Sequence, residues 1–260
     1  MTFTDAKQRF SSRVADYVRY RPGYPTEVIT LLRSECNLRP GSVIADVGSG
    51  TGFLSELFLK NGNRVYGIEP NEAMRQAGEE YLASFDNFVS LNGSAEATTL
   101  EDASVDFVTA GQAFHWFEPA AARREFRRIL KPDGWIVVLW NDRQMDTPFA
   151  SAYEDLLVKY GTDYTRVRES YPETPVIQAF FGAGTFTQRS LPNAQILDWD
   201  GLAGRLRSSS YAPQEGHPNY APMMAELEEL FRANQANRHV RMEYATHFYF
   251  GRLEQGKPSM

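Results

Sequence analysis

Cysteine, clustered histidine and long apolar runs are nearly missing from this 260-residue chain. Cys36 is the only cysteine, which excludes an intramolecular disulfide framework and a zinc site built from thiolates. The four histidines, His115, His217, His239 and His247, show no ligand spacing, so no metal centre is expected. No stretch of about 18 uncharged apolar residues occurs, as a membrane helix would need. Met1 to Phe10 carries no apolar run that reads as a signal peptide, and mean hydropathy is −0.44. Positive charge is also short: 27 Lys and Arg face 33 Asp and Glu, for a net charge of −6. A chain that lives on phosphate contacts is normally basic, so neither nucleic acid nor a membrane is expected as partner. A soluble cytoplasmic protein is the working class. Repeats, low-complexity tracts and an interdomain linker are absent too, and 42% hydrophobic residues suffice for one large core.

What is present is alternation. Val43 to Val47, Arg64 to Glu69, Phe88 to Leu91, Val105 to Ala110 and Trp135 to Trp140 are apolar runs of strand length. Leu54 to Lys60, Glu72 to Ala83 and Ala120 to Leu130 lie between them as helices, the last opening at Pro119 and stopping before Pro132. Strands of this kind, apolar on both faces and separated by helices, predict an α/β fold with a parallel sheet covered on both sides. Residues 142–184 read as an insertion with a helix over Pro148 to Tyr160. Thr185 to Leu191 then reads as a strand, and Leu202 to Ser208 and Met223 to Asn234 as helices. Val240 to Phe250 has a period of two, with Val240, Met242, Tyr244, Phe248 and Phe250 on one face.

Asp46-Val47-Gly48-Ser49-Gly50-Thr51-Gly52 stands where the first strand ends and a helix begins. Glycines there let a ligand approach the backbone beside unpaired helix N–H groups. Glu69 ends the second strand 21 residues after Gly48, where a carboxylate can accept from both hydroxyls of a ribose. A dinucleotide fingerprint needs glycine at position 53, which is Phe, and no Gly-Lys-Ser/Thr follows for a P-loop. The negative charge of Asp46 opposes a pyrophosphate and suits a cation. S-adenosyl-L-methionine offers an ammonium, a sulfonium, a ribose and no phosphate.

These residues resemble motif I and the second-strand acidic motif of the class I S-adenosylmethionine-dependent methyltransferases, the latter through Gly67-Ile68-Glu69-Pro70-Asn71 with Met74. Gly93-Ser94-Ala95-Glu96 is similar to the loop after their third strand, set beside the adenine amino group. Gln112-Ala113-Phe114-His115-Trp116-Phe117 and Arg128-Ile129-Leu130-Lys131-Pro132-Asp133-Gly134 resemble later motifs of the same family. With Arg21-Pro22-Gly23-Tyr24-Pro25, the Phe-His-Trp stretch looks like the small-molecule branch near trans-aconitate methyltransferases (methyltransferase type 11). The resemblance implies a Rossmann-like, seven-stranded, mostly parallel sheet with an antiparallel last strand and helices on both faces. It also implies a cofactor set of Asp46, Gly48, Ser49, Gly50, Gly52, Glu69, Pro70, Met74, Ser94, Ala95, Glu96 and Gln112. A single domain is expected: an N-terminal lid over residues 1–40, a cofactor core over 41–141, a cap over 142–184, and C-terminal strands and substrate-side helices over 185–260.

The expected chemistry is in-line transfer of a methyl group to a small organic acceptor, with a carboxylate or hydroxyl oxygen favoured. A carboxylate needs no base; for a hydroxyl, His115 after the fourth strand is the candidate catalytic base. Phe10, Val14, Tyr17, Val18 and Arg21 recur at helical spacing and predict a lid helix. Tyr17, Arg21, Tyr24, His115, Trp116 and Asn141 are the expected acceptor-side residues. A packing role for His115 and a solvated face for Arg19 and Arg21 are the competing readings. At the level of function, two alternatives compete: a nicotinamide-dependent oxidoreductase, which Phe53 and the missing Tyr-x-x-x-Lys pair disfavour, and a non-catalytic cofactor-binding regulator.

Overall fold

A computed structural model describes residues 18–169, 174–182 and 186–253. Tyr17 and the lid helix expected before it lie outside these residues. In chain order the elements are α1 (Glu27–Cys36), β1 (Val43–Val47), α2 (Phe53–Lys60), β2 (Arg64–Ile68), α3 (Glu72–Tyr81), β3 (Phe88–Leu91) and β4 (Val105–Gly111). A short 3-10 turn over Phe114–Trp116 leads to α4 (Pro119–Ile129) and β5 (Leu130–Arg143). The remainder is α5 (Pro148–Tyr160), α6 (Tyr164–Glu169), α7 (Thr174–Phe181), β6 (Phe186–Leu197), α8 (Trp199–Arg207), α9 (Tyr220–Asn234) and β7 (Val240–Gly251).

The seven strands form one sheet in the order β3-β2-β1-β4-β5-β7-β6. Pairings among β1 to β5 are parallel, and β7 runs antiparallel to both β5 and β6. This is the parallel α/β architecture expected from the alternating strands, in the Rossmann-like form that the resemblance implies, with its reversed strand where the period-two run lies. Two boundaries move. β6 continues to Leu197 through Pro192, which is tolerated because β6 is the sheet edge. The helix expected from Leu202 begins at Trp199, because the Asp198 carboxylate accepts from the Gly201 amide at 2.8 Å and caps it.

Local chemistry starts the other helices as well. The Asn71 side chain accepts from Met74 N at α3, and the Thr147 hydroxyl from Ala150 N at α5, where Pro148 occupies the first turn. Glu118 does the same for Ala120 and Ala121 at α4, ahead of Pro119. Ala122, Phe126 and Ile129 then recur on one buried face of α4 and pack against Val108, Ile136 and Val138 of the sheet. On the opposite face α1 and α2 bury Val28, Leu32, Leu57 and Phe58 against Ile44, Phe107 and Phe248. Each such side chain contributes about 1.5–3 kcal/mol on full burial.

A third cluster forms for a topological reason. β5 pairs with β7 only as far as Arg143 opposite Tyr244, whereas β6 pairs with β7 all the way to Val240. The β6–β7 ribbon therefore projects past the carboxyl ends of the parallel strands. Val240, Met242 and Leu197 on that projection collect α5, α8 and α9 through Tyr153, Leu157, Leu202, Leu206, Met223 and Leu227. The resulting cap stands beside the rim where β1 and β4 end.

Candidate active site

In open α/β sheets, ligands bind at the carboxyl ends of strands around the point where strand order reverses. Here β1 and β4 are the adjacent strands at that point. Gly48, Gly50 and Gly52 all take positive φ, 69°, 56° and 90°, so the turn after β1 folds back without side chains above it. At Gly48 a Cβ would lie 2.5 Å from the Ala113 Cβ. The Gly48 and Ser49 amides donate to the Ile68 carbonyl, and the Gly50 amide donates to Glu69 Oε2 at 2.9 Å. Glu69 Oε1 accepts from Asn71 N at 2.8 Å, so two amides fix this carboxylate at the end of β2. Burial pushes the Glu69 carboxyl up; the Asn71 and Gly50 amides oppose that shift.

Asp46 is fully buried. Its Oδ2 accepts from Ser55 Oγ of α2 at 2.6 Å and its Oδ1 from Thr109 Oγ1 of β4 at 3.1 Å. Burial raises its pKa to about 6, against the hydrogen bonds from Ser55 and Thr109. Neither hydroxyl was singled out in the sequence, and each holds the carboxylate beside a cavity lined also by Gly48, Ser49, Gly50, Gln112 and Asn141. Thr51 lines the same cavity, and its Oγ1 is buried with no hydrogen-bond partner. Gln112 sits at φ 56°, a strained conformation for a non-glycine residue, with its side chain accepting from Asn141 N.

Arg21 and Tyr24 line this cavity too, which brings the N-terminal segment to the loop after β1. That segment is strapped down at several points. Arg21 Nη2 donates to the Ser208 carbonyl at 3.0 Å, Gln195 donates to the Tyr20 carbonyl at 3.0 Å, and Asn141 and Asn193 both donate to the Gly23 carbonyl. Gly204 admits the Tyr20 ring, which a Cβ there would overlap. Asn141 additionally accepts from Thr246 and Asn193, so its side chain ties β5 to β6 and β7.

Other expected residues stand further out. Pro70 lines an open groove with Asn71 and Arg75, and Met74 is buried under Gly50. Ala95 is buried, Ser94 Oγ accepts from Glu96 N at 3.3 Å, and the Glu96 carboxylate accepts from Glu118 N at 2.9 Å. His115 and Trp116 pack ring to ring at 4.6 Å in the turn after β4, and line neither of the two cavities beside Arg21. Burial pushes the His115 imidazole down to about 4, so it is uncharged at neutral pH.

A second cavity, of about 270 Å³, adjoins the first and shares Arg21, Gln112, Asn141, Arg205 and Tyr244 with it. Its other walls come from the end of β5 and from the cap, including Trp140, Arg143, Glu154, Tyr164 and Tyr211. The sequence placed a cap over residues 142–184 and substrate-side helices within 185–260 without singling out Arg143, Arg205 or Tyr211.

Residues 45–138 match the methyltransferase-domain family. An uncharacterized methyltransferase of Mycobacterium tuberculosis is 34% identical over 169 residues, 65% of this chain and 66% of that one. Another, from Schizosaccharomyces pombe, is 34% identical over 58% of this chain and 59% of its own. Over residues 45–138 the chain carries a methyltransferase domain of the class I S-adenosylmethionine-dependent type. A second Schizosaccharomyces pombe relative, a methyltransferase-like protein, is 29% identical over 85% of each chain. The methyltransferase also shares its fold with a protein of Anaeromyxobacter dehalogenans assigned as a type II methyltransferase. That structure has a TM-score of 0.65 and 22% identity, with 90% of this chain and 98% of the other covered.

S-adenosylmethionine is the cofactor of this fold family, and the cradle of this methyltransferase fits it. Glycine backbone leaves room above the loop, Thr51 offers a hydroxyl without a partner, the Asp46 carboxylate lines the space, and Glu69 is tied to the loop through the Gly50 amide, which suits a cationic, ribose-bearing molecule. Among the described residues no group of three or more potential metal ligands assembles, and no helix is long and apolar enough to cross a membrane.

Proposed function

We propose that this methyltransferase moves a methyl group from S-adenosylmethionine to an oxygen, carboxylate or hydroxyl, of a small organic acceptor. The observation that carries the reading is the pair of adjoining cavities, one ringed by the glycine loop and the other by the cap, meeting at Gln112 and Asn141. The cofactor supplies a methyl on a cationic sulfur that departs as a neutral thioether. Glu69 then takes the ribose hydroxyls, the loop glycines the amino-acid end, and Met74 with the Ser94-Ala95-Glu96 loop the adenine side. Asp46 holds Ser55 and Thr109 in place and presents negative charge to the cationic end. Arg21, Tyr24 and Asn141 are assigned to the acceptor side, and the strap over residues 20–24 keeps water from it.

A carboxylate acceptor is the better-supported of the two. His115 is neutral at pH 7 and able to take a proton, but an imidazole with a pKa of about 4 is a weak base for a hydroxyl. Carboxylate oxygen needs none. Two measurements test the reading together: calorimetry with S-adenosylmethionine, and a radiolabelled methyl-transfer screen over organic acids, phenols and alcohols. Binding with transfer to an acid is expected. Binding without transfer to any acceptor favours a regulator, and no binding removes the methyl-transfer reading. Glu69→Ala is expected to weaken cofactor binding by about tenfold or more, because two ribose hydrogen bonds to a charged acceptor are lost.

A further inference from the structure

The cap carries a charge that the fold itself does not neutralise. Arg205 of α8 is only 5% exposed, and its hydrogen bonds go to neutral groups: Nε–H to the Tyr244 hydroxyl at 3.3 Å and Nη1 to Ser209 Oγ at 3.0 Å. No carboxylate lies within ion-pair reach of it among the described residues. A guanidinium has five N–H donors, and burying it unpaired is strongly unfavourable. Arg143, at the end of β5, adds to the excess. Its Nη2 meets Glu154 and the Tyr164 hydroxyl, while its Nε is buried without any partner. Glu154 is shared with Arg168, so one carboxylate serves two guanidiniums. Four arginines and two carboxylates thus line a cavity in a protein whose net charge is −6.

We infer that Arg205, with Arg143, forms an anion pocket that anchors a carboxylate of the methyl acceptor. The inference rests on the methyl-transfer reading for the word acceptor, but the pocket stands on its own geometry. Arg205 lines both cavities, so a group held there is at their junction. The anchored carboxylate is the poorer methyl acceptor, because hydrogen bonds from a guanidinium draw electron density from its oxygens and lower their nucleophilicity. The acceptor therefore bears a carboxylate in addition to the oxygen that is methylated. Trp140, Tyr164 and Tyr211 add aromatic side chains to the rest of the cavity wall. The Tyr211 phenol reports the same positive field: burial pushes its pKa up, and the guanidiniums of Arg205, Arg143 and Arg21 outweigh that and lower it.

The test is calorimetric titration of the full chain with benzoate, succinate and uncharged benzamide, each with and without saturating S-adenosylhomocysteine. Benzoate is expected to bind and benzamide not to. Arg205→Gln is expected to weaken benzoate by at least about tenfold and S-adenosylhomocysteine by no more than a few-fold, with Arg205→Lys recovering part of the benzoate loss. Should Arg205→Gln fail to fold, Tyr244→Phe, which frees the guanidinium from its hydroxyl partner, is expected to shift benzoate affinity severalfold and S-adenosylhomocysteine affinity by less. Equal binding of benzamide, no binding of either acid, unchanged benzoate affinity in these variants, or a loss of S-adenosylhomocysteine binding in Arg205→Gln would overturn the pocket. If the protein binds benzoate but not S-adenosylhomocysteine, the methyl-transfer reading fails and the pocket stands; the converse result removes the pocket alone.

Discussion

The two cavities are made of different material. The cofactor cradle is mostly backbone: three positive-φ glycines and the Gly50 and Asn71 amides on Glu69, all within 24 consecutive residues. The anion pocket is side chain, drawn from positions as distant as Arg21, Arg143, Arg205 and Tyr244. A backbone site constrains which residues can occupy each position, so its sequence is a pattern. A side-chain site needs only that a guanidinium arrive from somewhere, which leaves no pattern. The same contrast says which site a single methyl group can destroy and which one tolerates substitution until a charge is removed.

Gly48→Ala should break the comparison most severely. The new Cβ would meet Ala113 at 2.5 Å, at a φ that L side chains adopt only with strain of about 1–2 kcal/mol. S-adenosylhomocysteine affinity is expected to fall by about 100-fold or more in calorimetry, while benzoate binding in the cap persists. Parallel loss of both ligands would mean that the two sites fold as one unit.

Asp46→Asn separates charge from shape within the cradle. The folded carboxyl titrates near 6, above its ordinary 3.8, because burial disfavours the anion. A raised folded value means that its stabilising contribution is complete below about pH 4 and is lost as pH rises through about 6, by roughly 3 kcal/mol at most. Urea midpoints of Asp46→Asn, compared with wild type from pH 4 to 8, should lack this decline. A cationic ligand favours the ionised form, so wild-type affinity for S-adenosylmethionine should rise from pH 5 to 7 and that of Asp46→Asn should not. A wild-type affinity that is flat across this range would remove the charge of Asp46 from cofactor recognition.

The strands and helices of the parallel half were legible because each carries its own apolar run or period, the reversed last strand followed from the family resemblance and agreed with the period-two run Val240 to Phe250, and the glycine loop was legible for the backbone reason just given. Three things were not. Ser55 and Thr109 gave no sign of their role, since the hydroxyls that steady the Asp46 carboxylate sit 9 and 63 residues away with no fixed spacing. Arg205 resembled any helical arginine until the β6–β7 projection turned α8 inward. Boundaries shifted where caps, not apolar periodicity, decide them, as Asp198 does for α8.

The smallest expected effect concerns His115, the candidate base that the sequence places after the fourth strand. Its ring packs on Trp116 and lines neither cavity beside Arg21, and burial holds its pKa near 4. Between pH 6 and 9 it is therefore neutral throughout, and cannot impose a pH dependence there. For an acid acceptor, His115→Gln is expected to change kcat by less than about threefold and leave the pH profile flat, since the reacting carboxylate has no proton to give up. General bases contribute about 10²–10⁴-fold to the rates they assist. A loss of that size in His115→Gln, measured with the acceptor from the screen, would return the imidazole to the chemistry and make a hydroxyl the methylated group.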